Sequence, residues 1–355
     1  SNSAFTVNAD AIVLLNDFDN EIGSLAGSGV VRNANSGTTA ATLTTGGDDT
    51  STTFSGTLQD GAGGALSLTK TGSGTQTLTG SASYTGATTI NAGTLQLGDG
   101  ATTGSLTGTT GISNNGNLTI NRSNAFDQTT DLNAQLITGT GSFTQAGSGT
   151  TSLTGANTYT GITTITTGTL QLGDGTTGND GTIAGTSIVN NADLTYNRFG
   201  TASYGGVISG SGTVTKEGAG TQTLTGANTY SGGTSINAGT LEFQNSAALG
   251  TSRIDLVGSA ILQFGADALD LSEDVRAGNN GSGTRTIRLD LAGTNSGTLS
   301  GQLDIRANGL DTFAIDVGAD DTLTVSQKIV NLVNNGAGLT KLGAGELSVV
   351  LDSSS

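Results

Sequence analysis

Two carboxylate pairs, Asp48-Asp49 and Asp320-Asp321, and one acidic cluster, Asp17, Asp19 and Glu21, are the residues of this chain whose types and spacing could do chemistry. Paired carboxyl groups cleave glycosidic bonds when one acts as acid and the other as base or nucleophile. Adjacent residues in a strand point to opposite faces, so neither pair alone forms such a couple. The cluster could suggest calcium, but the glycine and the downstream bidentate Glu of a calcium loop are missing, and a solvated turn is the better reading. The chain has no His and no Cys, which removes imidazole bases, Ser-His-Asp triads, thiolate chemistry and disulfides. No G-x-S-x-G or Walker loop occurs, and the many G-x-G pairs need only turn geometry to explain them. Thr-x-Thr pairs such as Thr75/Thr77, Thr77/Thr79 and Thr213/Thr215 could build an ice-facing ladder. That needs a pair on one flat face in every coil, whereas these recur mainly with a long period, so strand propensity explains them better. No catalytic, cofactor-binding or metal-ligating residue is assigned.

What these side chains can do is set by the unit that carries them. The stretch from Gly210 to Phe243 recurs on both sides of itself. Its core, Val214 to Gly220, returns from Leu68 to Gly74, from Phe143 to Gly149 and from Leu339 to Gly345. In three copies it leads into TQTLTGSASYTG from Thr75, TTSLTGANTYTG from Thr150 and TQTLTGANTYSG from Thr221, closed by INAGTLQLGDG, ITTGTLQLGDG and INAGTLEF. Tyr84, Tyr159 and Tyr230 are 75 and 71 residues apart, too far for one structural layer, so each copy spans several shorter coils. A second pair, ISNNGNLTINR from Ile112 and IVNNADLTYNR from Ile188, matches between the copies. Extra residues around Ala125 to Gln135 read as a loop protruding from one face.

Apolar residues stand at alternate positions in short runs, as in Leu95 with Leu97, Leu118 with Ile120 and Leu241 with Phe243, which is a strand period. The runs are rich in Thr, Val and Ile and are bounded by Gly, Asn, Asp and Ser. Gly93 and Gly239 suit tight corners that need positive φ. Short strands, frequent corners and long-range repetition describe a chain wound into coils, each paired with those above and below.

GAGTQTLTGANTYSGGTSINAGTLEF resembles the autotransporter-associated β-strand repeat of passenger regions in bacterial surface proteins secreted by the type V route. The match is specific over about residues 65 to 250. It implies an all-β fold, a right-handed parallel β-helix (β-solenoid) forming a single elongated rod, exported to the cell surface. It carries over no catalytic or binding residue, because the motif marks corners and core positions.

Composition fits such a coil. Average usage would give roughly 18 Pro in a chain of this length. There are none, and Pro lacks the donor that a continuous ladder needs at every turn. Hydrophobic content of 33% suits a thin core lined by small and β-branched residues. The formal charge of −16 makes nucleic acid and anionic membrane surfaces poor partners. The longest apolar run, Ala11 to Leu15, is too short to span a bilayer, and no signal peptide or anchor is read here.

Three regions follow. Residues 1–26 are the first coils or an added strand, residues 27–250 hold about three superrepeats, and residues 251–355 continue the coil with a more charged surface and end in a partial repeat. ADALDLSEDV from Ala266 reads as a short helix or an acidic corner, and the charges after Thr251 read as pairs across neighbouring coils. Neither end shows a charged cap, so either more protein followed or the ends join other copies of the chain. At roughly 20 to 24 residues per coil there would be about 15 coils, a rod on the order of 70 Å long. The expected function is a non-enzymatic extracellular structural or adhesive surface protein of a bacterium, an adhesin stalk or a self-assembling matrix fibre. Its expected partners are itself, head to tail, or other surface components. A β-helical polysaccharide-active enzyme and an ice-binding solenoid are the alternatives.

Overall fold

The computed structural model describes residues 3–33, 38–62, 64–278, 283–306, 312–330 and 338–349. Its strands stack in parallel as a β-solenoid of about 14 turns, with about 1% helix, so the expected parallel β-helix is borne out. The chain divides into two compact units, Ser1–Gln171 with Gly181–Thr186, and Leu172–Asp180 with Ser187–Ser355.

In the first unit each coil adds one strand to each of three stacks. The opening coil gives Ala4–Val7, Ile12–Leu14 and Asn20–Ile22, which pair in parallel with Ser24–Gly27, Val30–Asn33 and Ala41–Thr45. The N-terminal apolar segment is therefore a first coil and not an added strand. A parallel neighbour requires the chain to travel once round before it pairs with itself, which is why every ladder joins residues about one coil apart.

Alternation places one side chain in two inside. Leu78, Leu97 and Ile120 stack in register, as do Leu95, Leu118 and Phe143, and all six are buried. Burying an aliphatic side chain of this size contributes roughly 1.5–3 kcal/mol, repeated at every rung. Corners stack as well. Gly93 has φ +63, and a Cβ there would lie 2.4 Å from the Gly72 carbonyl oxygen and 2.5 Å from that of Gly74 in the coil below. Gly168 meets Gly147 and Gly149 in the same way, so the spacing of G-x-G to the next corner glycine is one coil of chain.

The superrepeat is not a whole number of coils. Lys70 pairs in register with Ile90 and Ile90 with Asn114, and Ser113 then pairs with Thr138. Gln145, the counterpart of Lys70, comes one strand later, on the stack that holds Asn117–Ile120. Each copy thus spans three coils and one face, and equivalent residues of the first two copies sit on different faces.

In the second unit Thr234–Phe243 and Ile254–Phe264 run through a corner with a register shift between Ile236 and Ala238. Later coils settle into three stacks, represented by Val275–Ala277, Thr284–Leu289 and Ser296–Leu299. The Phe243 and Phe264 rings stack inside, their centroids 4.6 Å apart.

Two local expectations change. The segment Ala125 to Gln135 does not simply protrude: Phe126 and Leu132 are buried and Gln128–Asp131 forms one helical turn. Gln128 is fully buried, donating from Nε2 to the Gln135 carbonyl and to Asn157 Oδ1, each at 2.8 Å, so the insertion closes against the coil above. ADALDLSEDV is neither a helix nor only a corner, since Leu269–Leu271 is a strand with both leucines buried. Of the partial repeat that ends the chain, residues 350–355 lie outside the described residues.

Candidate functional site: outward columns on a plugged solenoid

The repeat lysine points inwards. Lys70 ends its strand and Lys216 stands one residue before the end of its own; the preceding alternate residues, Leu68 and Val214, are core, and parity carries the ammonium inside as well. Lys216 Nζ donates to the carbonyls of Glu217 at 2.5 Å, Gly218 at 2.8 Å and Ala238 at 3.3 Å. Lys70 donates to the carbonyls of Thr71, Gly72 and Ala92, the last in the next coil. In the second copy Gln145 takes the place, donating to Gly147 O at 2.7 Å and Gly149 O at 3.1 Å. The polar head is a plug that donates to several corner carbonyls at once, including Glu217 O and Gly149 O, which also accept from Arg198 N and Thr169 N of neighbouring coils. Desolvation lowers the pKa of both lysines, that of Lys216 to about 8, where Arg198 adds repulsion. An amine enclosed by carbonyls is a structural group and not a nucleophile.

Functional groups that meet solvent lie in columns on the outer faces. In the first unit one column runs Thr53, Thr77, Gln96, Thr119, Thr144, Thr164 and another runs Thr44, Thr69, Thr89, Ser113, Thr138. Polar residues therefore recur in every coil and not only with the long period. The first column is bonded to the residues beside it on the same face: Asn117 Nδ2 donates to Thr119 Oγ1 at 3.0 Å, and Asn117 Oδ1 accepts from Ser142 at 3.0 Å and Thr144 at 3.2 Å. Thr77 and Thr119 are buried by their neighbours. A column whose hydroxyls are engaged by a neighbouring Asn and that includes Gln96 is not a regular hydroxyl lattice, and the Thr-x-Thr pairs are one part of it.

In the second unit hydroxyls give way to charge. Thr195, Thr215 and Ser235 are followed in register by Asp255, Arg276 and Asp304. Arg276 Nε meets Asp255 Oδ1 at 2.7 Å and Arg288 Nε meets Asp316 Oδ2 at 3.0 Å, both across coils as expected. Arg253 with Asp255 at 2.9 Å and Arg306 with Asp304 at 2.7 Å pair along the same strand instead.

The carboxylates raised by the sequence do not gather. Both Asp pairs stand in turns, not strands, so their divergence comes from corner geometry. Asp48 accepts from Thr50 N at 3.0 Å, while Asp49, at φ +60, accepts from Ser73 N at 2.7 Å. Hydrogen bonds from Ser24 and Thr50 hold the Asp48 carboxyl below its usual value. Asp321 is buried, accepting from Leu291 N at 3.0 Å and Asn295 N at 2.9 Å, and Asp320 is exposed. Asp19 accepts from Thr42 N at 2.7 Å, and Asp17 donates its amide to Asn33 Oδ1 at 2.8 Å. Among the described residues no group of three or more acidic, His or Cys side chains is placed to hold a metal ion.

These corners are where the likeness to known proteins falls. The passenger-associated-transport-repeat model matches residues 68–97, 143–172 and 214–243, each running from a plug strand to the strand after the corner glycine. The chain carries three passenger-associated-transport-repeats. The family resemblance read from GAGTQTLTGANTYSGGTSINAGTLEF is borne out. The chain is also similar in sequence to a curated relative, the adhesin BmaC autotransporter of Brucella suis biovar 1 (strain 1330), at 39% identity over 103 residues. That match covers 29% of this chain and 3% of the relative, so the chain spans a small part of that protein's length.

Proposed function

We propose that this chain is a segment of the passenger of a bacterial surface adhesin, displayed outside the cell and working as a non-enzymatic scaffold. The observation that carries the reading is the set of three passenger-associated-transport-repeats, supported by the likeness to an autotransporter named as an adhesin. A wound coil whose core is filled at every rung is stiff, and its outer residues recur at the ~4.8 Å strand spacing, which suits many weak contacts over one long surface. The scattered, individually bonded carboxylates favour a scaffold over a polysaccharide-cleaving enzyme.

The finer role we propose is a stalk or contact surface. Stacking of copies head to tail into a fibre is the second version of this finer role. The test is to display the chain on a non-adherent bacterium and count cells retained on abiotic and host-cell surfaces. Retention above that of a host displaying an unrelated solenoid is expected, and equal retention overturns the adhesive reading. Sizing the purified chain over a concentration series separates the versions: a constant particle supports the stalk, and growing filaments support the fibre.

A further inference from the structure

The corner after the strand Ile112–Asn114 carries Asn115-Gly116, the one Asn-Gly dipeptide among the described residues. Its counterpart in the matching segment later in the chain is Asn191-Ala192. The two corners are built alike. Asn114 and Asn190 each donate from Nδ2 at 2.7 Å to a carbonyl, that of Ser142 and that of Thr213. A Cβ at Gly139, φ +103, would lie 2.9 Å from Asn115 Oδ1, and one at Gly210, φ +104, would lie 2.8 Å from Asn191 Oδ1.

They differ at the amide that follows the asparagine. Ala192 N donates to Asn190 Oδ1 at 3.3 Å. In the first corner Asn114 Oδ1 is buried without a partner, and the Gly116 N–H has no acceptor among the described residues. The Asn115 carbonyl is held from the other side. Its Oδ1 accepts from Thr140 N at 3.2 Å and from Thr140 Oγ1 at 3.3 Å, while Asn115 itself is exposed to water.

We propose that Asn115 is a site of spontaneous deamidation in the folded chain, assisted by Thr140. Gly116 N gives its proton to hydroxide and attacks Asn115 Cγ, which is its neighbour along the chain. The new N–Cγ bond closes a succinimide ring as the Cγ–Nδ2 bond breaks, and Nδ2 takes a proton and leaves as ammonia. Negative charge gathers on Oδ1 during the attack, where both Thr140 donors already point. Glycine, having no Cβ, leaves the attacking nitrogen unhindered, whereas Ala192 crowds its own. Water then opens the ring at either carbonyl and gives aspartate or isoaspartate. Isoaspartate lengthens the main chain by one carbon at a tight place: Asn117 N donates to Gly93 O and Gly116 O accepts from Ser142 N, each at 2.8 Å. The converted coil is therefore loosened against both neighbours. This goes beyond the adhesin reading, because the chemistry needs only water and the corner itself.

Peptide mapping by mass spectrometry, on the full folded chain incubated at mildly alkaline pH, tests it. Each asparagine is followed separately, since Asn280-Gly281, Asn308-Gly309 and Asn335-Gly336 carry the same dipeptide outside the described residues. Amide-to-acid conversion at Asn115 is expected at least tenfold faster than at Asn191, with isoaspartate among the products and a rate that rises with pH. Thr140→Val keeps the side-chain shape and loses the hydroxyl donor, so it should slow conversion severalfold with an unchanged circular dichroism melt. An Asn115 amide that survives in the folded chain while a peptide of residues 112–120 converts overturns the proposal. Equal rates at Asn115 and Asn191, or a Thr140→Val rate equal to the parent's, overturns it as well.

Discussion

The hydroxyl of Tyr230 lies 2.6 Å from Thr234 Oγ1, and the same pair recurs as Tyr84 with Thr88 at 2.7 Å and Tyr159 with Thr163 at 2.8 Å. All three tyrosines are fully buried, and burial raises the pKa of Tyr84 and Tyr230, so both stay neutral. Thr234 Oγ1 in turn donates to the Leu249 carbonyl at 3.1 Å, which fixes the direction of the chain of bonds. The invariant Tyr of the three blocks is thus a corner post whose polar tip is satisfied four residues on.

Removing only that tip should cost little. Tyr230→Phe is expected to lower stability by about 1 kcal/mol, and Tyr230→Ala by ~3–5 kcal/mol because a cavity then opens in the core. Denaturant midpoints of the two variants check this. Equal losses would mean that the ring contributes nothing beyond its hydroxyl.

The stacked glycines give the sharpest contrast. Gly239 has φ +65, and a Cβ there would lie 2.5 Å from the carbonyl oxygens of both Gly218 and Gly220. Gly239→Ala should destabilise by about 2 kcal/mol or more, from the left-handed backbone and the clash together. A Cβ at Gly111 meets nothing within 4 Å, so Gly111→Ala should be neutral or stabilise by ~0.4–1 kcal/mol. Thermal melts of the two variants moving in the same direction would contradict the corner stack.

Lys216 predicts a pH dependence. Its pKa falls from 10.5 unfolded to about 8 folded, so between those values the unfolded chain binds more protons. Stability from this group therefore rises as pH increases from 8 towards 10.5. Lys216→Gln, which copies Gln145, should fold and lose that rise. The observable is the difference in urea midpoint between parent and variant from pH 7 to 9.5, which cancels the buried tyrosines. A difference that stays flat with pH would show the ammonium to be at no disadvantage in its carbonyl cage.

The outer ion pairs should matter far less. Arg276 is half-buried beside Asp255, and Arg276→Gln is expected to cost about 0.2–1 kcal/mol at low salt. At 1 M salt the Debye length is about 3 Å and most of that difference should vanish. A loss of several kcal/mol that persists in salt would make the charged column a structural spine.

The coil was legible because two periods are written openly in the sequence. Inward residues such as Leu95 and Leu97 alternate, and corner glycines such as Gly72 and Gly93 are one coil apart. The plug was legible in principle and missed in residue type. Lys70 has the same parity as Leu66 and Leu68, but alternation alone does not say that a charged side chain ends inside. The outward columns could not be read, because alignment across coils depends on coil length: Thr77 meets Gln96, while Thr119 meets Thr144. Gln128 was hidden for a related reason, since its burial depends on Asn157 in the coil above.

The most direct test of a surface passenger is antibody labelling of the native bacterium with serum raised against this chain. Strong labelling of intact cells, lost after external protease treatment, is the expected result. Labelling that appears only after the cells are permeabilised would contradict it.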